Sequence, residues 1–287
     1  MAQTIVWLAS YPKSGNTWLR AWLTNYLQDT GTPADINALL GRPIASDGQV
    51  FDREVGVEAS DLTAEEIERY RPGVYRQLAA QHTKTLFIKV HDAYTRTSAG
   101  EPLFPADVTQ GAIYLMRNPL DVVVSYAQYT QSSVDTIVTQ MACATAFFWA
   151  APTRLPAQLR QRALTWSGHV CSWVDGVDFP VHVMRYEDMA LQPWETLTAV
   201  IRFLGLPDDA MRLHNALTFS AFNCLQAQER TKRFAERAST AALFFRQGRI
   251  GAWREVLTAA QVHRVISDHG TVMQRFGYLT PTDDILY

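Results

Sequence analysis

The stretch TIVWLASYPKSGNTWLRAWLTNYL, residues 4–27, decides the fold of this chain. An apolar run, Thr4–Ala9, is followed by the polar loop Tyr11–Trp18 and then by a helical pattern that extends to Leu27. A loop that joins a strand to a helix directs backbone N–H groups and the helix N-terminus at an anion, and a lysine adds a point charge. The stretch therefore predicts a phosphate-binding loop.

The loop differs from the ATPase and GTPase pattern G-x-x-x-x-G-K-[ST] in the position of its lysine. In register, the two glycines of the pattern fall on Ser10 and Gly15, and the lysine and hydroxyl positions fall on Asn16 and Thr17. The lysine has moved to Lys13, inside the loop. This displacement predicts chemistry other than γ-phosphoryl transfer, although a nucleotide-dependent kinase remains an alternative.

Strands that alternate with helices predict an α/β fold. Apolar runs typical of buried strands lie at Thr4–Ala9, Thr85–Val90, Gly111–Met116 and Val181–Met184. Helical patterns lie at Trp18–Leu27, Leu120–Tyr129, Trp194–Leu204 and Ala259–Phe276, and residues 31–60 are interpreted as loop. We expect one P-loop-type domain over residues 1–287, with a mostly parallel central sheet and helices on both faces. Ligands bind such sheets beyond the carboxyl ends of the strands.

Composition limits the classes of partner. Of 287 residues, 47% are hydrophobic and 19% are charged, and the formal net charge is −2. This balance argues against a general nucleic-acid or membrane-surface binder, so a basic site must be local. The three cysteines Cys143, Cys171 and Cys224 are far apart and odd in number, which predicts reduced core thiols in a cytoplasmic protein. The apolar stretch Ser133–Pro152 is interpreted as a buried or substrate-covering helix.

Charged and polar residues follow the other predicted strands. Lys89 and His91 share one side of the second strand, where a histidine can act as a general base at neutral pH. After the third strand, Arg117 offers a fork of donors suited to a phosphate, with Ser125 two helical turns further on. Residues 245–253, FRQGRIGAW, form a basic, glycine-containing loop that could close over an anion. The histidines lack metal-ligand spacing, so no metal is expected.

Taken in order, the segments YPKSGNTW, KVH, RNPLDVVVSY, RYEDM and RQGRIGAW resemble those of the cytosolic-type sulfotransferases. The resemblance runs from about Ile5 to Trp253. It implies that 3′-phosphoadenosine 5′-phosphosulfate (PAPS) is the sulfuryl donor and that 3′-phosphoadenosine 5′-phosphate (PAP) is a product. It also implies in-line transfer without a metal to a hydroxyl or amine of a small acceptor.

The resemblance assigns roles residue by residue. Catalysis falls to His91 as general base, Lys13 at the bridging oxygen and Lys89 at the transferring sulfuryl group. The donor-binding positions are Lys13, Ser14, Gly15, Asn16, Thr17, Trp18, Arg117, Ser125, Tyr186, Ser220, Phe222, Arg246, Gln247 and Gly248. The family usually has a lysine where this chain has Gln247, which weakens one phosphate contact.

The acceptor is less well defined. The resemblance implies that the acceptor pocket is built from three segments outside the nucleotide motifs. They are two insertions at about residues 31–81 and 127–165, and residues 92–105 between them. Tyr94, Phe147, Phe148 and Trp149 are the apolar candidates, and they could equally be core. The family's dimer motif is not matched at Arg254, Thr258-Ala259 and His263, so a homodimer is left open. A non-catalytic protein that binds PAP or PAPS is the other alternative.

Overall fold

The computed structural model describes residues 4–148, 157–237, 243–246 and 248–287. The chain divides into two compact units, each assembled from separate stretches of sequence. The first unit contains Met1–Tyr11, Gly41–Tyr114 and Met141–Val183, and the second contains Pro12–Leu40, Leu115–Gln140 and Met184–Tyr287.

The regular elements alternate between strands and helices. In chain order they are β1 (Ile5–Ala9), α1 (Asn16–Gln28), α2 (Gly48–Val55), α3 (Ala64–Gln81), β2 (Leu86–Val90), β3 (Thr109–Met116), α4 (Pro119–Thr130), α5 (Val134–Met141), β4 (Phe147–Phe148), β5 (Gln161–Arg162), α6 (Trp166–Asp175), β6 (Val181–Arg185), α7 (Tyr186–Leu191), α8 (Pro193–Phe203), α9 (Ala210–Phe219), α10 (Phe222–Lys232) and α11 (Ala259–Arg275). Short 3-10 turns lie at Ile36–Ala38, Ala59–Asp61, Ala106–Val108 and Ala252–Glu255.

A four-stranded sheet in the order β2-β1-β3-β6 forms the centre of the fold. Strand β1 pairs in parallel with β2 on one side and with β3 on the other. All five residues of β1 are buried, which is why this strand is a continuous apolar run in the sequence. The parallel sheet with its flanking helices confirms the predicted α/β class.

The four strands of the central sheet lie within one or two residues of the predicted ones, but three local expectations were wrong. Residues 31–60 were interpreted as loop, yet they contain α2, which begins at the Asp47 cap. The helix expected over Ser133–Pro152 ends at Met141 and is followed by β4, while residues 149–156 lie outside the described structure. Cys143 is exposed and Cys171 and Cys224 are half-buried, so Cys143 is not a core thiol, and none of the three forms a disulfide.

Aromatic side chains fill the core of the first unit. The Trp7 ring lies 5.0 Å from Tyr75 and 4.9 Å from Phe104, and the Trp173 ring lies 5.2 Å from Phe104. Aromatic rings at such separations add to the stabilisation from burial alone. This packing fixes α3 and α6 in the unit that contains the end of β2.

The core of the second unit supports the loop that is predicted to bind phosphate. Buried residues from α1, the 3-10 turn after it, α10 and the segment beyond α10 form one cluster, made of Ala21, Ile36, Leu39, Leu225, Phe234 and Phe245. Trp18, Phe222 and Phe244 pack against this cluster while remaining partly exposed. These three rings are therefore held in place yet accessible. Within the described residues, no helix combines the length and apolarity needed to cross a membrane.

Candidate active site

The loop after β1 has the backbone of an anion site. Lys13 has a φ of 69° and Gly15 a φ of 101°, both in the left-handed region that a side chain disfavours. A Cβ on Gly15 would lie 2.6 Å from Cδ2 of Tyr186, so this position requires glycine. Helix α1 begins at Asn16, and no side chain caps it in the described structure. A helix N-terminus without a side-chain cap at the end of such a loop is the arrangement that anion sites use.

Ser14 and Arg117 present buried donors at this loop. Within the described residues, neither the Ser14 Oγ nor the Arg117 Nε has a hydrogen-bond partner. Burying such a group without a partner costs free energy, so both atoms fit a ligand that carries phosphate oxygens. The Arg117 guanidinium is already oriented: its Nη1 donates to the Lys13 carbonyl oxygen at 3.2 Å, and its Nη2 donates to the Arg249 carbonyl oxygen at 3.0 Å.

An aromatic surface continues from Arg117. The Arg117 Cζ lies 4.4 Å from the centroid of the Tyr186 ring, and that ring lies 5.5 Å from Trp18. The Trp18 Nε1 donates to the Ser220 carbonyl oxygen at 3.0 Å. Burial raises the pKa of Tyr186, so its phenol stays neutral in this surface. The partly exposed Trp18 ring, close to a guanidinium, suits a nucleobase next to a phosphate.

Two further predicted residues, Gly248 and Phe222, meet at the edge of this aromatic surface. Gly248 has a φ of 58°, and a Cβ placed there would lie 2.6 Å from Cδ2 of Phe222. The Ser220 hydroxyl is buried and donates to the Ala216 carbonyl oxygen at 2.7 Å. Position 220 thus contributes its backbone to the Trp18 contact, while its side chain closes helix α9.

The remaining predicted donor residues take simpler positions. Asn16 and Thr17 are buried in the first turn of α1, and Ser125 is half-buried on α4. Arg246 is exposed, and Gln247 lies outside the described residues. All the described residues that the resemblance assigned to donor binding, Lys13 included, therefore belong to the second unit.

Two buried carboxylates, which sequence reasoning missed, hold the closing segment of the second unit. This segment is the loop of residues 245–253 that is predicted to close over an anion, with Phe244 directly before it. Asp121 accepts hydrogen bonds from the backbone N–H groups of Gly251 at 2.8 Å and Trp253 at 3.1 Å. Glu229 accepts from the N–H groups of Phe244 at 2.7 Å and Phe245 at 2.9 Å. Asp121 lies in the RNPLD segment, one helical turn after Arg117. An acidic residue at that position was the sequence signal that could have revealed this role.

Glu187 is a third buried carboxylate that the sequence did not reveal. It accepts from the Asn118 backbone N–H and from the Tyr278 hydroxyl, each at 3.0 Å. Burial raises the pKa of Glu187. These bonds tie the start of α4 to the C-terminal part of the second unit and so fix the segment that carries Arg117.

In the first unit, His91 is held at the end of β2 through its ring and through its backbone. Its Nδ1 lies 2.9 Å from the Ser10 carbonyl oxygen and 3.3 Å from the Ser10 hydroxyl. The His91 carbonyl oxygen lies 3.1 Å from Nε2 of His169, whose Nδ1 lies 2.8 Å from the Tyr114 hydroxyl. Burial lowers the pKa of His169 to about 4, so this imidazole is neutral. Lys89, two residues earlier, is half-buried.

Asp92, directly after His91, has a structural partner. Its carboxylate accepts two hydrogen bonds from Arg71, each of 2.8 Å, and both side chains are buried. Its carbonyl oxygen accepts from the Trp173 Nε1 at 2.9 Å. A bidentate buried pair of this kind fixes the chain after β2 and leaves Asp92 committed to Arg71.

The four apolar residues proposed for the acceptor side differ in exposure. Tyr94 and Phe148 are buried, and Phe148 packs edge-on against Tyr11 at 5.1 Å. Phe147 is half-buried under the Arg160 guanidinium, whose Cζ lies 4.3 Å from the ring centroid. Trp149 lies outside the described residues. Among the described residues, no cluster of three or more His, Cys, Asp or Glu side chains could hold a metal ion.

Comparison with known proteins places this site in a family. The profile of the sulfotransferase domain matches residues 3–277. Sulfotransferase 4A1 of Homo sapiens is 27% identical over 259 residues, which cover 89% of this chain and 75% of the relative. Two solved structures share the fold. Mouse sulfotransferase SULT7A1 complexed with PAP has a TM-score of 0.61 and 19% identity, covering 96% of this chain and 86% of that one.

The second structure is retinol dehydratase in complex with androsterone and inactive cofactor PAP. It has a TM-score of 0.63 and 18% identity, covering 98% of this chain and 84% of that one. At these identities the two structures establish the fold, while the match of the domain profile to nearly the whole chain establishes the family. The chain therefore belongs to the sulfotransferase family, as its ordered motifs predicted.

Proposed function

We propose that this sulfotransferase uses PAPS as its sulfuryl donor and transfers the group to a hydroxyl or amine of a small acceptor. The observation that carries the proposal is the pair of buried, unpartnered donors in the described structure, Ser14 Oγ and Arg117 Nε. They lie on segments joined by the hydrogen bond from Arg117 to the Lys13 carbonyl oxygen. Solved structures of the same fold hold PAP, which supports this choice of donor.

The residues of the second unit divide the donor between them. The loop from Lys13 to Thr17 would bind the 5′-phosphosulfate, Arg117 and Ser125 the 3′-phosphate, and Trp18 the adenine. Tyr186, Ser220 and Phe222 would complete the base site, and Arg246, Gln247 and Gly248 would close over the 3′-phosphate. The donor carries the sulfuryl group on its 5′-phosphate. In an in-line transfer the S–O bond to that phosphate breaks as sulfur bonds to the acceptor, and the ionised phosphate leaves as part of PAP.

His91 would remove the acceptor proton. Because the Ser10 carbonyl oxygen can only accept, Nδ1 of His91 carries the hydrogen of that 2.9 Å bond. The lone pair of the neutral ring is then on Nε2, which is the atom that can act as base. Lys13 would neutralise charge on the leaving oxygen, and Lys89 would stabilise the transferring group.

The acceptor would be a small apolar molecule with a hydroxyl or amine. The family relation and the retinol dehydratase structures, which hold androsterone or retinol, support this class. Phe147, a half-buried ring on the acceptor side of the first unit, fits it too. The proposal also includes a cytoplasmic location, no nucleic-acid or membrane partner, and a reaction that needs no metal.

Calorimetry and a labelled-donor assay test the proposal. We expect PAP to bind in the presence of EDTA and to be preferred over ATP. We also expect radiolabelled PAPS to give labelled product with some members of a panel of apolar alcohols, phenols and amines. Arg117→Gln should weaken PAP binding roughly 10- to 100-fold, the usual worth of a hydrogen bond to a charged group. Arg264→Gln, at an exposed Arg264–Asp268 pair, is the matched control and should change little.

Two outcomes would contradict the proposal. Preference for ATP with a requirement for Mg²⁺ would favour the kinase alternative. Tight PAP binding without transfer to any member of the panel would favour a non-catalytic nucleotide-binding protein.

A further inference from the structure

The Lys13 ammonium lies between two aromatic rings of the second unit. Its Nζ is 4.3 Å from the centroid of the Tyr129 ring and 4.4 Å from the centroid of the Phe244 ring. Both distances are well inside the range of about 6 Å over which a ring face attracts a cation. The two rings belong to segments far from Lys13 in the chain, so the arrangement depends on the tertiary structure.

Both rings are held by the segments that carry predicted donor-binding residues. Tyr129 lies on α4 one helical turn after Ser125, which places the two side chains on the same face of that helix. The N–H of Phe244 donates to the buried Glu229 carboxylate at 2.7 Å, and Phe244 precedes Arg246 by two residues. The Phe244 ring also packs edge-on against Phe234 at 4.9 Å. The position of each ring is therefore set by the surrounding structure.

The rings attract Lys13 without neutralising it. Burial raises the pKa of Tyr129, and the Glu236 carboxylate shifts it in the same direction, so the phenol is neutral at physiological pH. A neutral ring face orients an ammonium through its quadrupole and carries no negative charge that would cancel that of the ammonium. Such a holder suits a lysine that must meet negative charge as it develops on a leaving oxygen.

We propose that Tyr129 and Phe244 are positioning residues that clamp the Lys13 ammonium for the sulfuryl-transfer step. The inference rests on the proposed function, which gives Lys13 its role at the bridging oxygen. The clamp acts through Lys13, so it governs kcat more than the affinity for the nucleotide. Because the rings come from the Ser125 helix and the Arg246 segment, the clamp couples Lys13 to the 3′-phosphate side of the donor site.

Stepwise fluorination of the rings tests the clamp without changing its shape. Phe244 is replaced with 4-fluoro-, 3,5-difluoro- and 3,4,5-trifluorophenylalanine, and position 129 receives the same series after Tyr129→Phe. Each fluorine weakens the negative ring face while leaving the other contacts of Lys13 in place. We expect log kcat to fall in proportion to the number of fluorines, by roughly 3- to 30-fold for three, the range of one cation–π contact expressed as a rate.

Three measurements accompany the series. The Kd for PAP should change less than about twofold, and Tyr129→Phe, which keeps the ring, is the parent with which the fluorinated series at position 129 is compared. The same fluorinated residues at Tyr70, an exposed side chain on α3, control for incorporation and should leave kcat unchanged. A kcat that does not respond to fluorination at either ring would overturn the proposal.

A second readout does not need an acceptor. With ¹³C-labelled lysine, the Lys13 ε-methylene protons should resonate upfield of the other lysines because two ring faces shield them, and Lys13→Arg identifies the signal. Phe244→Leu should move that signal towards the others. An unshifted signal would overturn the clamp even in an active sulfotransferase. A shifted signal in a protein that transfers to no acceptor would support the clamp while the proposed function failed.

Discussion

At the residue scale, neighbouring backbone constrains His91, the residue proposed as general base. The Ser10 carbonyl oxygen fixes the hydrogen on Nδ1, and the neutral His169 donates to the His91 carbonyl oxygen. The ring and the main chain of the same residue are therefore both constrained. A histidine with a fixed tautomer loses little orientation entropy when it takes a proton, which favours the role of general base.

Removal of the His91 imidazole should slow transfer while leaving donor binding intact. We expect His91→Ala to lower kcat by about 10²- to 10⁴-fold, the usual contribution of a general base. The PAP affinity should be unchanged, because the role proposed for His91 is to take a proton from the acceptor and not to bind the nucleotide. Steady-state kinetics with labelled PAPS and calorimetry with PAP provide the two measurements. His214→Ala, at an exposed position on α9, is the control, and near-normal turnover of His91→Ala would remove His91 from the mechanism.

At the element scale, the first turn of α4 organises the closing segment. Asp121 accepts two backbone hydrogen bonds from Gly251 and Trp253, and its Oδ2 lies 3.7 Å from the Arg117 Nη2. A buried carboxylate with such partners is worth far more than an exposed pair, because its loss leaves donors unsatisfied. The helix start thus holds both Arg117, which is proposed to bind phosphate, and the loop proposed to close over it.

Weakening this helix start should impair donor binding. Asp121→Asn keeps the shape of the side chain but loses its charge and one acceptor, so we expect the Kd for PAP to rise by about 10-fold or more. Glu255→Gln, at the exposed Arg249–Glu255 pair, is the matched control and should change the Kd less than about threefold. Equal affinities of the two variants, measured by calorimetry, would show that Asp121 does not support the donor site.

The elements differ in how well the sequence predicts them. The strands were predicted closely because every residue of a buried parallel strand such as β1 is apolar, and this signal is local. Helix α3 was missed, although the Thr63–Glu66 capping box marks its start; Pro72 inside it and a polar outer face obscured the pattern. The stretch that contains α5 and β4 was predicted as a single helix, because a short apolar run has no periodicity that distinguishes a strand from a helix.

The site was predictable only where its chemistry lies in contiguous motifs. Lys13 and Arg117 stand in segments whose residue types predict a phosphate site. The roles of Tyr129, Phe244 and Asp121 depend on contacts between residues more than a hundred positions apart, as the Lys13–Tyr129 and Asp121–Trp253 contacts are. No local pattern encodes such a contact, so only the structure can reveal it.

At the scale of the whole molecule, each unit buries a histidine in its neutral form. Burial lowers the pKa of His169 in the first unit and of His269 in the second to about 4, from an ordinary value of 6.5. The Tyr114 hydroxyl bonds to His169, while the Asp268 charge opposes the shift at His269. Each ring binds its proton less tightly in the folded chain than in the unfolded one, which couples stability to pH.

Acid should therefore destabilise the protein below neutral pH. For a base with a lowered folded pKa, the stabilisation is complete above the unfolded pKa and is lost as the pH falls from 6.5 to about 4. A shift of this size is worth up to roughly 3 kcal/mol for each histidine. Glu187 acts in the opposite direction, because its raised pKa makes stability fall as the pH rises through its titration.

Urea unfolding at a series of pH values measures this dependence. We expect the free energy of unfolding to decrease by roughly 2–6 kcal/mol between pH 6.5 and 4 if both histidines contribute. His169→Gln and His269→Gln should each lower stability at neutral pH but flatten the acid slope, since a glutamine takes up no proton. His263→Gln, at an exposed position on α11, should keep the full slope. An unchanged slope in both buried-site variants would mean that other groups control the acid response.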